Sequence, residues 1–373
     1  MNEQSFAGLG VLPVLCKALA ARGIGTPFAV QRLVIPDVLA GRDVLAKSPT
    51  GSGKTLAFGV PLVQRLARTP QPHSGLVLAP TRELAAQILE ELEGLATACG
   101  LGAAAIYGGV GFAEQLKRAR HAELLVATPG RLEDLIARGS VDLGRVQVVV
   151  LDEADRMLDM GFKPVVDRIV GQTPRTRQTL LFSATLDGAV AKLARSLTHE
   201  PRSHAHEVRH HKTAVVHRFV AVEHAGKLDA LVNELSAGDR GRTLVFVRTK
   251  RGADRLVKRL RTRGAHALAI HGDKSQGQRE KALHRFHAGH IDTLVATDVA
   301  ARGIDVEAVT HVINFDAPAD RETYVHRIGR TGRAGRAGVG ITFFVDDQAR
   351  EMRKLAHDLG LGAQFGPSTK IVA

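Results

Sequence analysis

Three short apolar runs in the first half of the chain return in the same order about 165 residues later. Leu76-Val77-Leu78-Ala79-Pro80-Thr81 is echoed by Leu244-Val245-Phe246-Val247-Arg248-Thr249, and Leu125-Val126-Ala127-Thr128 by Leu294-Val295-Ala296-Thr297. Val149-Val150-Leu151-Asp152 is echoed by Ile313-Asn314-Phe315-Asp316. One such match means little, because short aliphatic strands look alike; the ordered set points to a duplicated unit. Each run is rich in Val and Leu, as expected of strands covered on both faces of a parallel sheet. Between the runs lie helical spacings such as Leu84, Ile88, Leu92 and Leu95. Alternating strand and helix predicts an α/β chain with two tandem doubly wound parallel sheets, and 373 residues suffice for two domains. Ligands bind such sheets beyond the carboxyl ends of the strands, where Pro80 to Glu83, Thr128 to Arg131, Asp152 to Asp155 and Ser183 to Thr185 fall.

Residues 199–214 show neither period and read as a connector, which gives domains at 1–200 and 215–373 with a linker at 201–214. His199, His204, His206, His210 and His211 could hold a metal, but no cysteine or carboxylate cluster joins them, and a solvated basic linker is expected. Lys and Arg outnumber Asp and Glu by 51 to 38, a formal net charge of +13. That excess favours a polyanionic partner, nucleic acid before an anionic membrane surface. Cys16 and Cys99 form no metal or disulfide pattern. No apolar run approaches a membrane span and MNEQSFAGLG does not read as a signal peptide, so a cytoplasmic protein is expected. With 13 Phe, 2 Tyr and no Trp, base stacking on aromatic platforms is a poor fit, and the nucleic-acid backbone is the expected handle.

Ser48-Pro49-Thr50-Gly51-Ser52-Gly53-Lys54-Thr55 follows a short strand at 43–47 and opens a helix. It reads as a phosphate-binding loop whose backbone N–H groups and helix N-terminus surround phosphate. Lys54 would meet the β- and γ-phosphates, and the Thr55 hydroxyl Mg²⁺. Asp152, at the end of a buried strand, stands where a second Mg²⁺ contact is needed, and Glu153 can orient or deprotonate a water. The alternative is an acidic turn that merely starts a helix.

These motifs, taken in order, resemble the DEAD-box RNA helicases over nearly the whole chain, with wording similar to the bacterial RhlE-like branch. The match rests on Thr26-Pro27 with Gln31, the phosphate loop, Pro80 to Leu84, Gly108-Gly109, Thr128 to Arg131, Asp152-Glu153-Ala154-Asp155 and Ser183 to Thr185. In the second half it rests on Val245 to Val247, Gln276 to Arg279, Ala296 to Asp305 and His326 to Arg333. The resemblance implies two RecA-like domains using ATP and Mg²⁺, and RNA as a sequence-independent partner. It implies that Gln31 reads adenine, whose N6 donor and N7 acceptor suit a carboxamide, that Phe6 is an upstream aromatic near the base, and that Asp305 lies near the ribose. Arg330 and Arg333 would meet charge developing on the γ-phosphate. Arg82, Gly109, Thr128, Arg131, Gln276, Arg279 and Arg302 would lie along RNA phosphates. Asp155, Ser183, Thr185 and His326 would couple the two sites.

Departures are Ile24 where the family usually has an aromatic, and Ser48 and Pro49 early in the phosphate loop. They are expected to shift nucleotide affinity. No RGG run follows Gly366, so a C-terminal RNA-targeting module is not expected in this chain. The implied activity is RNA-stimulated ATP hydrolysis with local unwinding of short duplexes by a monomer. The alternatives are an ATP-gated RNA clamp with little unwinding and a DNA translocase of a related group.

Overall fold

Val148-Val149-Val150-Leu151 is apolar at every position because both faces of its strand are covered. Val148 and Val150 face one apolar cluster, and Val149 and Leu151 face another. The computed structural model describes residues 5–48, 52–205, 215–238, 240–301, 309–332 and 337–365. They fall into two units, Met1–Val208 and Arg209–Ala373.

The first unit holds strands β1 (Val44–Lys47), β2 (Gly75–Leu78), β3 (Ala103–Ile106), β4 (Leu124–Ala127), β5 (Val148–Leu151), β6 (Gln178–Ser183) and β7 (Arg202–Ala205). They pair in parallel in the order β3-β4-β2-β5-β6-β1-β7. Its helices are α1 (Pro13–Ala21), α2 (Ala29–Leu39), α3 (Lys54–Leu66), α4 (Arg82–Ala98), α5 (Phe112–Ala119), α6 (Pro129–Ala137), α7 (Ala154–Asp159), α8 (Lys163–Gly171) and α9 (Gly188–Leu197). Buried Phe58 of α3 meets buried Phe182 of β6 edge-on at 5.2 Å, which fixes the helix that begins with Lys54.

The second unit holds β8 (Val215–Ala221), β9 (Arg242–Phe246), β10 (Ala267–Ile270), β11 (Thr293–Ala296), β12 (Val309–Asn314) and β13 (Gly338–Phe344), parallel in the order β10-β11-β9-β12-β13-β8. Its helices are α10 (Lys227–Leu235), α11 (Lys250–Arg261), α12 (Gln276–His287), α13 (Asp298–Ala301), α14 (Arg321–Ile328) and α15 (Ala349–Asp358). Again the sheet lies between two apolar clusters, with Leu244 and Phe246 on one and Val245 on the other.

The repeat in the sequence is a repeat in the sheets. The three echoed runs are β2 with β9, β4 with β11 and β5 with β12, and each pair holds the same place in its sheet. The likeness reaches side chains. Thr81 caps α4 by accepting from the Leu84 N–H at 3.3 Å, and Thr249 caps α11 by accepting from the Gly252 N–H at 3.0 Å. Lys54, first in α3, lies 3.1 Å from Asp152 beyond β5; Lys227, first in α10, lies 3.0 Å from Asp316 beyond β12.

The expected linker needs one correction. Arg202–Ala205 is not connector but the edge strand β7, registered Val44↔Arg202 through Lys47↔Ala205. Its side chains are largely exposed, so no apolar alternation marks it, and backbone pairing to β1 holds it. His204 is 2.7 Å (Nε2–Oδ2) from Asp37. His206, His210 and His211 lie outside the described residues.

Candidate functional site

The turn after β1 is pinned at its start, where the Ser48 N–H donates to the Ser183 carbonyl at 2.9 Å and the Ser48 and Ser52 hydroxyls are hydrogen-bonded. Pro49, Thr50 and Gly51 lie outside the described residues. Gly53 caps α3 with φ +83°, and a Cβ there would fall 2.6 Å from Phe28 Cδ2 and 2.7 Å from Gln31 Nε2. Only glycine fits both demands. Lys54 and Thr55 are then the first two residues of α3, at its positive end.

Lys54 is 6% exposed and sits between two carboxylates, with Nζ 3.1 Å from Asp152 Oδ1 and 3.7 Å from Glu153 Oε1. Burial works to strip its proton, but the two carboxylates outweigh burial and its pKa is raised, so it stays an ammonium. The other Glu153 oxygen accepts from Arg156 Nη1 at 2.7 Å. Glu153 itself is left-handed, φ 53° and ψ 52°, a conformation that costs a non-glycine residue about 1–2 kcal/mol. The turn thereby aims both carboxylates at Lys54. Burial pushes the Asp152 carboxyl up, Lys54 pulls it down and neighbouring Glu153 adds to the rise. Asp152 Oδ1 accepts from Lys54 and from the Glu153 N–H at 2.9 Å, whereas Oδ2 is buried with no hydrogen-bond partner among the described residues.

That orphaned oxygen and the Thr55 hydroxyl suit a hydrated divalent cation. Among the described residues no group of three or more His, Cys, Asp or Glu side chains could hold a metal ion. Most of the ligands of a Mg²⁺ here would therefore come from phosphate oxygens and water.

Asp155 faces the next strand end. Its N–H donates to Ser183 Oγ at 3.3 Å, its Oδ2 accepts from the Ala184 N–H at 3.0 Å, and Ser183 Oγ also accepts from the Thr185 N–H at 3.4 Å. The acidic turn and the Ser183 to Thr185 turn are thus hydrogen-bonded to each other.

Gln31 is 2% exposed; its Oε1 accepts from the Phe28 N–H at 2.8 Å, and its Nε2 donates to the Gly53 carbonyl at 2.9 Å. One N–H and one lone pair of the carboxamide remain beyond those bonds. Phe6 is 3% exposed and packs within the core cluster that includes residues of α1 and α2. Ile24 packs against the same cluster. The exposed aromatic beside the loop is Phe28, 60% exposed, which the sequence motifs did not single out.

The expected RNA residues of the first unit gather at the carboxyl ends of β2, β3 and β4. The Arg82 guanidinium runs past Gly108, where a Cβ would lie 2.9 Å from Nη2, and Gly109 has φ +86°. The Thr128 N–H donates to the Ile106 carbonyl at 2.9 Å. Arg131 Nη1 donates to Gln115 Oε1 at 3.3 Å, and Gln115 Nε2 to the Tyr107 carbonyl at 2.8 Å.

In the second unit, Gln276 and Arg279 lie in the first turn of α12, with Gln276 turned inward, 5% exposed and donating to Glu280 Oε1 at 3.0 Å. His326 lies on α14, and its carbonyl accepts from Arg330 Nε at 3.4 Å. Arg302, Asp305 and Arg333 fall outside the described residues. Sequence reasoning missed Arg327. It is 4% exposed, grips Asp298 through Nε and Nη2, and donates through Nη1 to Asn314 Oδ1 at 3.1 Å and the Asp316 carbonyl at 2.7 Å. It is the brace that ties α14 to α13 and β12.

A family model described as DEAD/DEAH box helicase matches residues 28–193, and one described as Helicase conserved C-terminal domain matches residues 226–335. The chain belongs to the DEAD-box helicase family. The ATP-dependent RNA helicase DeaD of Mycobacterium tuberculosis (strain ATCC 25618 / H37Rv) is 44% identical over 344 residues, 92% of this chain and 61% of that protein. The ATP-dependent RNA helicase CshA of Limosilactobacillus reuteri is 41% identical over 355 residues, 94% of this chain and 71% of that protein. The chain thus spans about three-fifths of the length of DeaD. These DEAD-box relatives carry the names DeaD and CshA and lend nothing to the finer RhlE-like assignment. Among solved structures, S. cerevisiae Dbp5 bound to RNA and ADP BeF3 matches with a TM-score of 0.85 at 31% identity, covering 99% of this chain and 95% of that one. Mss116p bound to ssRNA and AMP-PNP matches at 0.83 and 28%, covering 94% and 76%. Both units of this DEAD-box chain are RecA-like.

Proposed function

We propose that this chain is an RNA-stimulated ATPase that locally separates short RNA duplexes. The observation that carries the reading is the cluster at the end of β5: a buried ammonium at the head of a helix, a carboxylate with one oxygen left bare, and a second carboxylate held by Arg156. Such a cluster meets the needs of phosphoryl transfer to water, which is positioning and charge neutralisation.

In this reading Lys54 leaves Asp152 and Glu153 to meet the β- and γ-phosphates of ATP. Asp152 and Thr55 hold Mg²⁺, which when bound neutralises charge on the phosphate oxygens. Glu153, released by Lys54 yet kept in place by Arg156, orients the attacking water and takes its proton. Gln31 reads the adenine edge. Arg330 and Arg333 supply cations from the second unit, so hydrolysis requires both units. We propose that ATP and RNA together draw the units closed, that Asp155 with Ser183 and Thr185 and His326 links the two ligands, and that Arg82, Gly109, Thr128, Arg131, Gln276, Arg279 and Arg302 lie along RNA phosphates. The chain is read as a cytoplasmic monomer; among the described residues no helix is long and apolar enough to cross a membrane.

The test is steady-state ATP hydrolysis without nucleic acid, with single-stranded RNA and with single-stranded DNA, beside Glu153→Gln. Stimulation by RNA that disappears in the variant is the expected result. Equal stimulation by DNA would overturn the RNA assignment. Absence of stimulation, with ATP-dependent retention of RNA, would make the chain a clamp.

A further inference from the structure

Helices α11 and α12 and the edge strand β10 enclose an open groove of about 630 Å³ in the second unit. Five cations line it: Lys258 and Arg261 from α11, Lys274 ahead of α12, and Lys281 and Arg285 from α12. The one carboxylate is Asp254, and it is already committed, 2.8 Å from Lys274 and 3.1 Å from His271. That engagement holds the Asp254 carboxyl below its ordinary range despite some burial. Lys258, Arg261, Lys281 and Arg285 are exposed, and none has an ion-pair partner among the described residues.

The cations converge by helical spacing. Lys258 follows Asp254 by four positions and Arg261 follows Lys258 by three; Lys281 follows Gln278 by three and Arg285 follows Lys281 by four. Each helix therefore turns one face to the groove. A cation in the last turn of a helix is favoured by the dipole, which accounts singly for Arg261 and Arg285. It accounts neither for Lys281 in mid-helix nor for two helices presenting like charge across one groove, an arrangement that repels itself without an anion between them. The apolar lining does not compete for the role, because Val257 and Ala282 are buried at 7% and 4% exposure and Leu268 and Ala269 are only half-exposed.

The chain around the groove says which polyanion fits. Of the lining residues, Lys274 and Gln278 stand within two positions of Gln276 in sequence, and Gln278 adjoins Arg279, the second unit's expected RNA contacts. From Gln278 to Arg285 the helix rises about 10 Å, room for roughly three phosphates of one strand at ~3.4 Å of rise each. We propose that this groove holds the phosphate backbone of RNA that runs on past the motif residues, extending the RNA footprint along α11 and α12. The proposal rests on the reading of RNA as the partner.

The test uses the whole chain with ADP–beryllium fluoride and measures binding of U6 and U20 RNA by fluorescence anisotropy from 50 to 200 mM salt. The test variant is K258A/R261A/K281A/R285A, and R68A/R175A/R195A/R202A removes as many cations from the first unit. With three phosphates in the groove, the test variant should bind U20 at least about twentyfold more weakly at low salt, with U6 binding unchanged within twofold. Its salt slope on U20 should fall by roughly 2, so the parent's advantage shrinks about 16-fold across that salt range. Binding of U20 equal to the parent's would overturn the proposal. So would equal losses on U6 and U20, or an equal loss in the first-unit variant, since either means general charge and not a groove. Unchanged U20 binding with lost affinity for a poly-glutamate 20-mer would assign the groove to an acidic protein segment and likewise overturn it. A parent chain that binds neither RNA would overturn the RNA reading itself, a result visible before any variant is compared.

Discussion

Arg156→Met tests the charge cluster most directly. Lys54, Arg156, Asp152 and Glu153 are two cations and two carboxylates with side chains between 0% and 8% exposed, and their charges cancel. Methionine keeps an unbranched stem in the site but removes the guanidinium. Glu153 then keeps Lys54 at 3.7 Å, and these four side chains together carry a net negative charge. Removing one partner of a buried ion pair costs about 3–5 kcal/mol. At about 2–4 °C per kcal/mol for a domain of this size, the first unit's melting transition should fall by roughly 6–20 °C. Glu153→Gln/Arg156→Met removes both charges and restores neutrality, so it should recover a good part of the loss. The four-corner cycle by urea denaturation with circular dichroism should give a coupling of about 2–3 kcal/mol. A single variant within about 1 kcal/mol of the parent, or a coupling under about 0.5 kcal/mol, would show that solvent screens the pair as it does at a surface. The account of how Glu153 is held would then be wrong.

Gly53→Ala should lose about 1–2 kcal/mol of stability from its left-handed backbone, and tenfold or more in affinity for a fluorescent ATP analogue, because the new methyl meets Phe28 and Gln31 at 2.6 and 2.7 Å; unaltered affinity would contradict the geometry of the loop. Ser183→Ala removes the acceptor for the Asp155 and Thr185 N–H groups, so RNA stimulation of hydrolysis should fall severalfold while basal hydrolysis persists; an unchanged stimulation ratio would rule out the link. Asp320 caps α14 by accepting from the Thr323 N–H at 2.7 Å, and that bond holds its carboxyl below the ordinary range. A depressed folded pKa contributes stability that is present above the unfolded value, near ~4, and is lost as pH falls through the folded value. Asp320→Ala should therefore cost about 1 kcal/mol at pH 7, with the gap to the parent narrowing as pH falls below the unfolded value, and a gap that does not narrow under acid would refute the assignment.

The parts legible in the sequence were those where one residue type has one physical reason to be there. Val148 to Leu151 had to be a strand covered on both faces, and Gly53-Lys54-Thr55 had to start a helix. Asp155 and Ser183 fell at adjacent strand ends, and the sheet order brought them to hydrogen-bond distance. Other features carried no such mark. β7 is an edge held through its backbone, so Arg202 to Ala205 reads as polar loop. Phe6 matched a motif position, and nothing in its neighbourhood in sequence announced that its ring would also be part of the core. Arg156 and Arg327 are interior cations whose partners, Glu153 and Asp298, lie 3 and 29 residues away; a cation in a basic chain looks like surface until its burial is known. Only the i,i+3 spacing of Glu153 and Arg156 could have hinted at the first pair.

The pairing of Lys227 with Asp316 separates ancestry from chemistry. The second unit retains a lysine at the head of its first helix and an aspartate beyond the matching strand, 3.0 Å apart. The turn ahead of that lysine, Val222 to Gly226, has one glycine where the first unit's loop has two, and Gly226 is right-handed, φ −81°, where Gly53 is left-handed. The second Asp316 oxygen is spent on the Arg248 N–H at 2.8 Å. The pair there is a clasp between helix and strand, and it persists without a nucleotide to justify it. On the proposed reading one nucleotide per chain is expected, and the duplicated half provides no reserve: when Lys54 is lost, its counterpart has no cradle from which to take over.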